Sequence, residues 1–382
     1  MIIVLKPDVP ADAPELARLL ELARSFPGIA TEVHRIQGQT RALTEVYLLG
    51  PTHVVPTKPF EESDAVEKVV RITQKYRFIG RHDPGLDAVG FDYRGVHLSQ
   101  ETLTLFPGLC AVDTPEHVDQ TFAALRQQGI ATTRAGAYKP RTSPYDFQGL
   151  GRSCLPWLFE SAGKHGIQIV TMEVTHESHI EEIRRALADS GEPTGVMLQI
   201  GTRNAQNFEL LRAAGSQTEH PVLYKRGMGI TLEESLNACE YIASGGNRKI
   251  VFGLRGVKSH LGDPHRNFVD FAHVSVVKRL TRLPVCVDPS HSVGRRGSGP
   301  EGLLDIFHVA AQGVIAGANM ILVDVHPRPE VALCDGPQAL KLDEIADLVA
   351  DMAICRRAYE ERVARVRGRG PTLGPALGPA SR

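Results

Sequence analysis

Short apolar segments alternate with helical segments from Glu101 onward, and this alternation restricts the possible folds more than any other feature of the sequence. The strand candidates are the segments 103–106, 131–136, 167–172, 196–200, 222–224, 249–253, 285–287 and 320–323. Apolar residues at helical spacing separate them, for example at 115–127, 205–214, 232–244 and 303–316. Regular alternation of strands and helices predicts a parallel sheet covered by helices, and eight such units predict a closed (β/α)8 barrel, or TIM barrel.

Residues 1–80 have a different pattern, in which two strands follow each other without a helix between them. Strand candidates lie at 2–5, 30–36, 43–49 and 66–72, with helical spacing at 13–23 and a weaker helix at 60–65. The order βαββαβ is that of a ferredoxin-like domain. Such domains often have regulatory roles, and a role in oligomerisation or packing is equally consistent with the pattern.

The chain is therefore predicted to contain four segments. Residues 1–80 form a ferredoxin-like regulatory domain, 81–100 a connector, 101–366 the catalytic barrel and 367–382 a tail rich in Gly and Pro. We expect the tail to be disordered, because it has no apolar periodicity from which to build a core.

Composition argues against several classes of function. A formal net charge of −1 does not favour wholesale binding to nucleic acid or to an anionic membrane. The six cysteines include no Cys-x-x-Cys pair, which is typical of a protein from the reducing cytosol. The amino terminus lacks the pattern of a signal peptide, and no apolar run approaches the ~20 residues that span a bilayer. We therefore expect a cytoplasmic protein.

The loop after the second barrel strand carries cations and hydroxyl groups between prolines. Its sequence is Ala137-Tyr138-Lys139-Pro140-Arg141-Thr142-Ser143-Pro144-Tyr145. Strand-to-helix loops of barrels are where chemistry is usually located, and prolines stiffen such a loop. Cations together with hydroxyl groups suit a phosphorylated ligand, although a solvated basic turn would have the same composition.

Charged or metal-capable residues also follow the other strands. Lys139, Arg203, Lys225 and Arg255 form a set of cations suited to phosphate and carboxylate groups. Cys110, His291, Asp324 and Asp335 supply one sulfur, one nitrogen and two carboxylates, a set that suits Mn, Fe, Co or Zn. Each residue alone could be structural, but all of them are predicted to meet at the carboxyl end of one barrel.

The segment from Gly136 to Gly151, which contains the loop above, resembles the signature of the type I-beta 3-deoxy-D-arabino-heptulosonate 7-phosphate (DAHP) synthases. The resemblance continues through four further motifs: Gln199-Ile200-Gly201-Thr202-Arg203-Asn204, Lys225-Arg226-Gly227-Met228, Val287-Asp288-Pro289-Ser290-His291 and Val325-His326-Pro327. It covers about residues 100–345, and the segment 1–80 is similar to the regulatory domain of that family.

This resemblance implies a metal-dependent condensation of phosphoenolpyruvate with D-erythrose 4-phosphate, which is the first step of the shikimate pathway and of aromatic amino acid biosynthesis. It implies that Lys139, Arg203, Lys225 and Arg255 bind phosphoenolpyruvate and that Arg141 and Thr142 bind the erythrose 4-phosphate. Lys139 and His291 would act catalytically, and Cys110, His291, Asp324 and Asp335 would hold a divalent transition metal (Mn, Co, Fe or Zn). An aromatic amino acid effector and a homo-oligomer, a dimer or a tetramer, are also expected.

Two alternatives to this function follow from departures from the family pattern. Leu109 stands where the family has Pro, and Asp324 stands where it has Glu. An enzyme of secondary metabolism that uses another aldose phosphate, or a catalytically silent regulatory subunit, would also accommodate these changes. The sequence Lys139-Pro140-Arg141-Thr142 favours erythrose 4-phosphate, and the four retained cations argue against a silent subunit.

Overall fold

The computed structural model describes residues 1–7, 9–10, 12–37, 42–71, 76–81 and 90–368. The chain divides into two compact units, Met1–Val89 and Gly90–Arg382, and the division lies inside the segment 81–100 that the sequence predicts as a connector. The predicted disordered tail, 367–382, lies outside the described residues except for Arg367 and Gly368. Within the described parts of the chain, no helix is long and apolar enough to cross a membrane.

The first unit has the predicted order of elements. They are β1 (Ile2–Leu5), α1 (Pro14–Arg24), β2 (Ala30–Gln37), β3 (Ala42–Leu49), α2 (Lys58–Glu61) and β4 (Val66–Val70). The antiparallel sheet has the order β2-β3-β1-β4. Ile3 and Leu5 of β1 pack in one buried cluster with Leu16 and Leu19 of α1 and Phe60 of α2. A ferredoxin-like sandwich results, because both helices cover the same face of the sheet.

The second unit contains a closed barrel of eight parallel strands, as predicted. The strands are β7 (Thr104–Leu109), β8 (Thr132–Ala135), β9 (Ile169–Val174), β10 (Gly195–Ile200), β11 (Val222–Lys225), β12 (Ile250–Leu254), β13 (Val285–Val287) and β14 (Met320–Asp324). The helices are α3 (Pro115–Gln127), α4 (Leu155–Lys164), α5 (Ser178–Asp189), α6 (Phe208–Ser216), α7 (Leu232–Ser244), α8 (His273–Leu280), α9 (Pro289–Val293), α10 (Asp305–Ile315) and α11 (Ile345–Arg367).

Several elements differ from the prediction in their limits, and the structure shows a local reason for two of them. Helix α6 begins at Phe208 rather than at Ala205, because the side chain of Asn207 caps it and accepts a hydrogen bond from the backbone N–H of Leu210. Strand β7 continues through Pro107 and Gly108 to Leu109. Gly108 is required there, since a Cβ atom at this position would lie 2.1 Å from the carbonyl oxygen of Arg134.

A hairpin inside the predicted connector closes the amino-terminal end of the barrel. Its strands are β5 (Phe91–Tyr93) and β6 (Val96–Leu98). Leu98 is buried in the cluster formed by inward-facing residues of the barrel strands, and Phe91, Tyr93 and Val96 pack against that cluster. The Tyr93 hydroxyl accepts a hydrogen bond from the backbone N–H of Val196, at the start of β10. The carboxyl ends of the strands are therefore the open end of the barrel.

Candidate active site

A polar cavity of about 250 Å³ lies at the carboxyl ends of the barrel strands. Its lining includes every residue predicted to bind substrate: Lys139, Arg141, Thr142, Arg203, Lys225 and Arg255. His291 and Asp335 of the predicted metal set also line it, whereas Cys110 and Asp324 lie buried beside it. The convergence follows from topology, because the parallel strands of a closed barrel all end on the same side.

Two cations at the bottom of the cavity are held in different ways. Lys225 forms a buried ion pair with Asp288, so its charge is partly compensated by protein. Arg255 is also buried, but its Nε and Nη1 atoms have no hydrogen-bond partner among the described residues. Burial lowers the pKa of Arg255, which means that the guanidinium is poorly solvated. An anionic ligand would supply the missing acceptors.

The loop between β8 and α4 is fixed by backbone hydrogen bonds as well as by its prolines. The N–H of Lys139 donates to the carbonyl of Gln148 (3.0 Å), and the N–H of Gly151 donates to the carbonyl of Ala137 (2.9 Å). Gly149 makes this close approach possible, because it has a φ of +89° and a Cβ atom there would lie 2.1 Å from the Ala137 oxygen. Thr142 accepts a hydrogen bond from Arg203 across the cavity at 3.2 Å.

Asp288 sets the orientation of His291. Its carboxylate accepts hydrogen bonds from the backbone N–H of His291 and from its Nδ1 atom, both at 3.1 Å. The other ring nitrogen, Nε2, therefore faces Asp335 at 3.5 Å and Cys110 at 3.8 Å. Burial alone would lower the pKa of His291, but the charges of Asp288 and Asp324 raise it to about 10.

The predicted metal-binding residues come together in the structure. One ligand atom from each of Cys110, His291, Asp324 and Asp335 lies within 4.8 Å of the others. Asp335 is held with a φ of +54°, which turns its carboxylate toward the Cys110 sulfur at 3.2 Å. Burial raises the pKa of Asp335, but the hydrogen bond from His291 and the nearby charges of His291 and Lys139 hold it well below its usual value.

Asp324 differs from the other three, because protein groups already engage its carboxylate. Arg134 of β8 forms an ion pair with Oδ1 at 2.6 Å, although neither this oxygen nor Arg134 Nη1 has a hydrogen bond among the described residues, and Gln338 donates to Oδ2 at 2.5 Å. Asp324 approaches His291 at Nδ1 (3.6 Å), the nitrogen that already donates to Asp288. Sequence reasoning missed Arg134. The sequence does contain a charged residue inside a short apolar strand, which could have indicated a functional side chain, because alternate side chains of such a strand point into the barrel.

Cys334 is a second residue that sequence reasoning missed. Its sulfur lies 4.0 Å from the Cys110 sulfur and 3.4 Å from Asp335 Oδ2, and its side chain lines the cavity. Arg141 donates a hydrogen bond to it at 2.8 Å. Contact with Cys110 and the charges of Lys139 and Arg141 lower the pKa of Cys334, although burial opposes this shift.

A second cluster of Asp113, His117 and His326 lies beside the site and is satisfied by its own hydrogen bonds. Asp113 accepts from His117 Nδ1 at 3.0 Å and from His326 Nε2 at 2.9 Å. The remaining nitrogen of each imidazole is engaged by Arg328, through its backbone N–H or its guanidinium. This cluster joins the loop after β7 to the loop after β14, and it presents no free donor atom to a metal.

Comparison with known proteins finds relatives over most of the chain. A model of the DAHP synthetase I family matches residues 94–356. The phospho-2-dehydro-3-deoxyheptonate aldolase of Thermotoga maritima is 38% identical over 352 residues, which are 92% of this chain and 96% of that enzyme. A 2-dehydro-3-deoxyphosphooctonate aldolase of Nitratidesulfovibrio vulgaris is 25% identical over 260 residues, which are 65% of this chain and 90% of that enzyme.

Solved structures show the same likeness. The crystal structure of the DAHP synthase of Thermotoga maritima aligns with a TM-score of 0.65 and 35% identity, covering 96% of this chain and 98% of that one. A truncated form of the same organism's 3-deoxy-D-arabino-heptulosonate 7-phosphate synthase aligns with a TM-score of 0.61 and 33% identity, covering 77% of this chain and 98% of that one. The first of these alignments extends over both compact units.

Proposed function

The chain belongs to the DAHP synthetase I family, and we propose that its barrel cavity condenses phosphoenolpyruvate with D-erythrose 4-phosphate to give DAHP and phosphate. In this family the reaction is the first step of the shikimate pathway, which leads to the aromatic amino acids. The observation that carries the proposal is the convergence of the six predicted substrate-binding residues on one cavity, beside His291 and Asp335.

Phosphoenolpyruvate is assigned to the buried cations at the bottom of the cavity. Lys225 and Arg255 are almost fully buried, and Arg255 has two donors without an acceptor among the described residues. A ligand with a phosphate and a carboxylate supplies several acceptor oxygens, which would satisfy these donors. Lys139 and Arg203 line the same cavity; Lys139 is buried, whereas Arg203 is exposed near the opening.

The acceptor phosphate is assigned to Arg141 and Thr142, nearer to the opening. Arg141 contacts Asp146 at 3.3 Å and Cys334 at 2.8 Å, and both Arg141 and Thr142 are less buried than Lys225 and Arg255. A guanidinium can bind two phosphate oxygens at once. This assignment places the aldehyde end of the sugar phosphate toward Lys139 and the metal-capable group.

The donors Cys110, His291, Asp324 and Asp335 fit a divalent transition metal, because a sulfur, an imidazole and carboxylates lie within 4.8 Å of one another. When bound, such a metal supplies a Lewis acid that polarises the aldehyde oxygen. The choice among Mn, Co, Fe and Zn stays a prediction, as do the aromatic effector, the homo-oligomer and the cytoplasmic location.

The residues of the chain would orient the substrates and compensate their changing charges. C3 of phosphoenolpyruvate attacks the aldehyde carbon, and water then adds at C2, where positive charge develops. The resulting hemiketal phosphate expels phosphate, whose negative charge is met by Lys225, Arg203 and Arg255. Lys139 lies 3.1 Å from the Cys110 sulfur; burial lowers its pKa, but the charges of Cys110 and Cys334 raise it overall. As an ammonium group it can donate a proton to the new alkoxide, and the proton released when water adds at C2 would restore its charge.

Phosphate release tests this function. The purified protein would be given phosphoenolpyruvate with erythrose 4-phosphate or with a panel of other aldose phosphates, with and without added divalent metal. Activity with erythrose 4-phosphate supports the proposal. Preference for another aldose phosphate would favour the alternative of an enzyme of secondary metabolism. Absence of turnover with every acceptor and metal would favour a silent regulatory subunit.

A further inference from the structure

We propose that Cys334 takes the place of Asp324 in the metal-binding group described above, so that two thiolates, one imidazole and one carboxylate form the coordination set. The inference rests on the proposed function, because it refines the metal site of that reaction. The ligands would be Cys110, Cys334, His291 and Asp335.

Five of the six separations among the four donor atoms are close to those of a tetrahedral site. Metal–ligand distances of about 2.3 Å for sulfur and about 2.0–2.2 Å for nitrogen and oxygen give tetrahedral edges of roughly 3.3–3.8 Å. The Asp335 oxygen lies 3.2 Å from Cys110, 3.4 Å from Cys334 and 3.5 Å from His291 Nε2. Cys110 lies 3.8 Å from His291 Nε2 and 4.0 Å from Cys334. Five of the six edges are therefore close to the expected lengths before any metal draws the donors together.

Each anionic donor of this set has a cationic neighbour. Lys139 Nζ lies 3.1 Å from the Cys110 sulfur, and Arg141 Nη1 lies 2.8 Å from the Cys334 sulfur. Arg266 Nη1 lies 3.2 Å from Asp335 Oδ1, the oxygen that does not face the other donors. Two thiolates and one carboxylate exceed the charge of a divalent ion by one, and these cations offset that excess.

Asp324 has a different environment, which keeps it away from a metal. It is fully buried; Oδ1 forms an ion pair with Arg134 without a hydrogen bond, and Oδ2 accepts a hydrogen bond from Gln338. Drawing its carboxylate onto a metal would leave the Arg134 guanidinium without its counter-charge in the barrel interior, which is unfavourable. We infer that Asp324 instead compensates Arg134. A set with two sulfur ligands favours Zn, Co or Fe over Mn, because sulfur is a soft ligand.

Cobalt absorption tests this assignment on the full-length, metal-free enzyme. Thiolate ligands give Co²⁺ an intense near-ultraviolet charge-transfer band, and the intensity increases with their number. Cys334→Ser is expected to reduce the band to about half per bound Co²⁺ and to weaken Co²⁺ binding, because one of two soft ligands is lost. Asp324→Asn is expected to keep both the full band and the wild-type affinity for Co²⁺, whereas loss of a ligand carboxylate would weaken binding. Cys355→Ser, which removes a thiol from α11, is the matched control and should leave the band unchanged.

The outcomes separate the inference from the function on which it rests. A full band in Cys334→Ser, with the band abolished by Cys110→Ser, would overturn the assignment and leave a one-thiolate site for the same reaction. Wild-type protein that binds no Co²⁺ would remove the metal site and the proposed mechanism together. If Cys334→Ser fails to fold, X-ray absorption at the cobalt edge of the wild-type protein counts the sulfur ligands directly. Two sulfurs support the inference, and one sulfur overturns it.

Discussion

Arg134 and Asp324 form an ion pair of 2.6 Å inside the barrel, with 3% and 0% of their side chains exposed. They belong to β8 and β14, which lie on either side of β7. The pair therefore joins two strands that are not neighbours, and Asp324 is also a member of the metal-capable group.

Breaking this pair from one side should be strongly destabilising. Arg134→Met would leave the Asp324 carboxylate buried without its counter-charge, so we expect the free energy of unfolding to fall by about 3–5 kcal/mol. Urea unfolding of the metal-free protein measures the change. The double variant Arg134→Met with Asp324→Leu should recover much of the loss, because both charges are then absent. If the double variant is no more stable than Arg134→Met, the loss of stability does not come from the unpaired charge of Asp324.

Removing Arg255 should affect the reaction rather than the fold. Arg255→Ala would remove the guanidinium assigned to phosphoenolpyruvate, so we expect kcat/KM for this substrate to fall at least about 100-fold, or ~2.7 kcal/mol. Steady-state kinetics with phosphoenolpyruvate varied measures the loss. Arg185→Ala, on the exposed face of α5, is the matched control. A change within a factor of three would mean that Arg255 does not contact the substrate.

Arg141 should control the second substrate separately from the first. Arg141→Lys keeps the charge but loses the fork of donors that binds two phosphate oxygens. We expect KM for erythrose 4-phosphate to rise at least about tenfold, or ~1.4 kcal/mol, while KM for phosphoenolpyruvate changes little. Kinetics with each substrate varied in turn distinguish the two effects. Equal rises in both values would indicate a purely structural role for the loop.

Because of Asp113, the free energy of unfolding should depend on pH. Burial raises the pKa of Asp113, but hydrogen bonds from His326 and His117 lower it to about 2. A carboxyl group with a lowered pKa contributes stability above its unfolded pKa of 3.8, and this contribution is lost as the pH falls toward 2. Asp113→Asn should therefore destabilise the protein by about 1–3 kcal/mol at pH 7. The difference from wild type should shrink between pH 4 and pH 3 in urea titrations; a constant difference would contradict this explanation.

The architecture and most of the cavity could be predicted because they depend on patterns that a single sequence contains. Alternating apolar segments give the order of the strands, and the carboxyl ends of those strands give the positions of Lys139, Arg203 and Lys225.

Arg134 was not predicted, because its importance depends on which way one side chain of β8 points. Cys334 was not predicted either. It lies in a loop without periodicity, and an isolated cysteine is most often a small buried residue. The hairpin Phe91–Leu98 was not predicted because its strands are short. It is stabilised by packing against barrel strands that are distant in the sequence.

The hairpin that closes the amino-terminal end of the barrel makes the cavity a blind one, with a single route for everything that enters or leaves. Lys225 and Arg255 lie at its buried end, whereas Thr142 and Arg203 are exposed near the opening. A sugar phosphate held at Arg141 and Thr142 would therefore obstruct the path to the deeper cations. Binding should follow a compulsory order, with phosphoenolpyruvate first and the sugar phosphate second. The product that occupies the outer position should leave before a new molecule of phosphoenolpyruvate can enter.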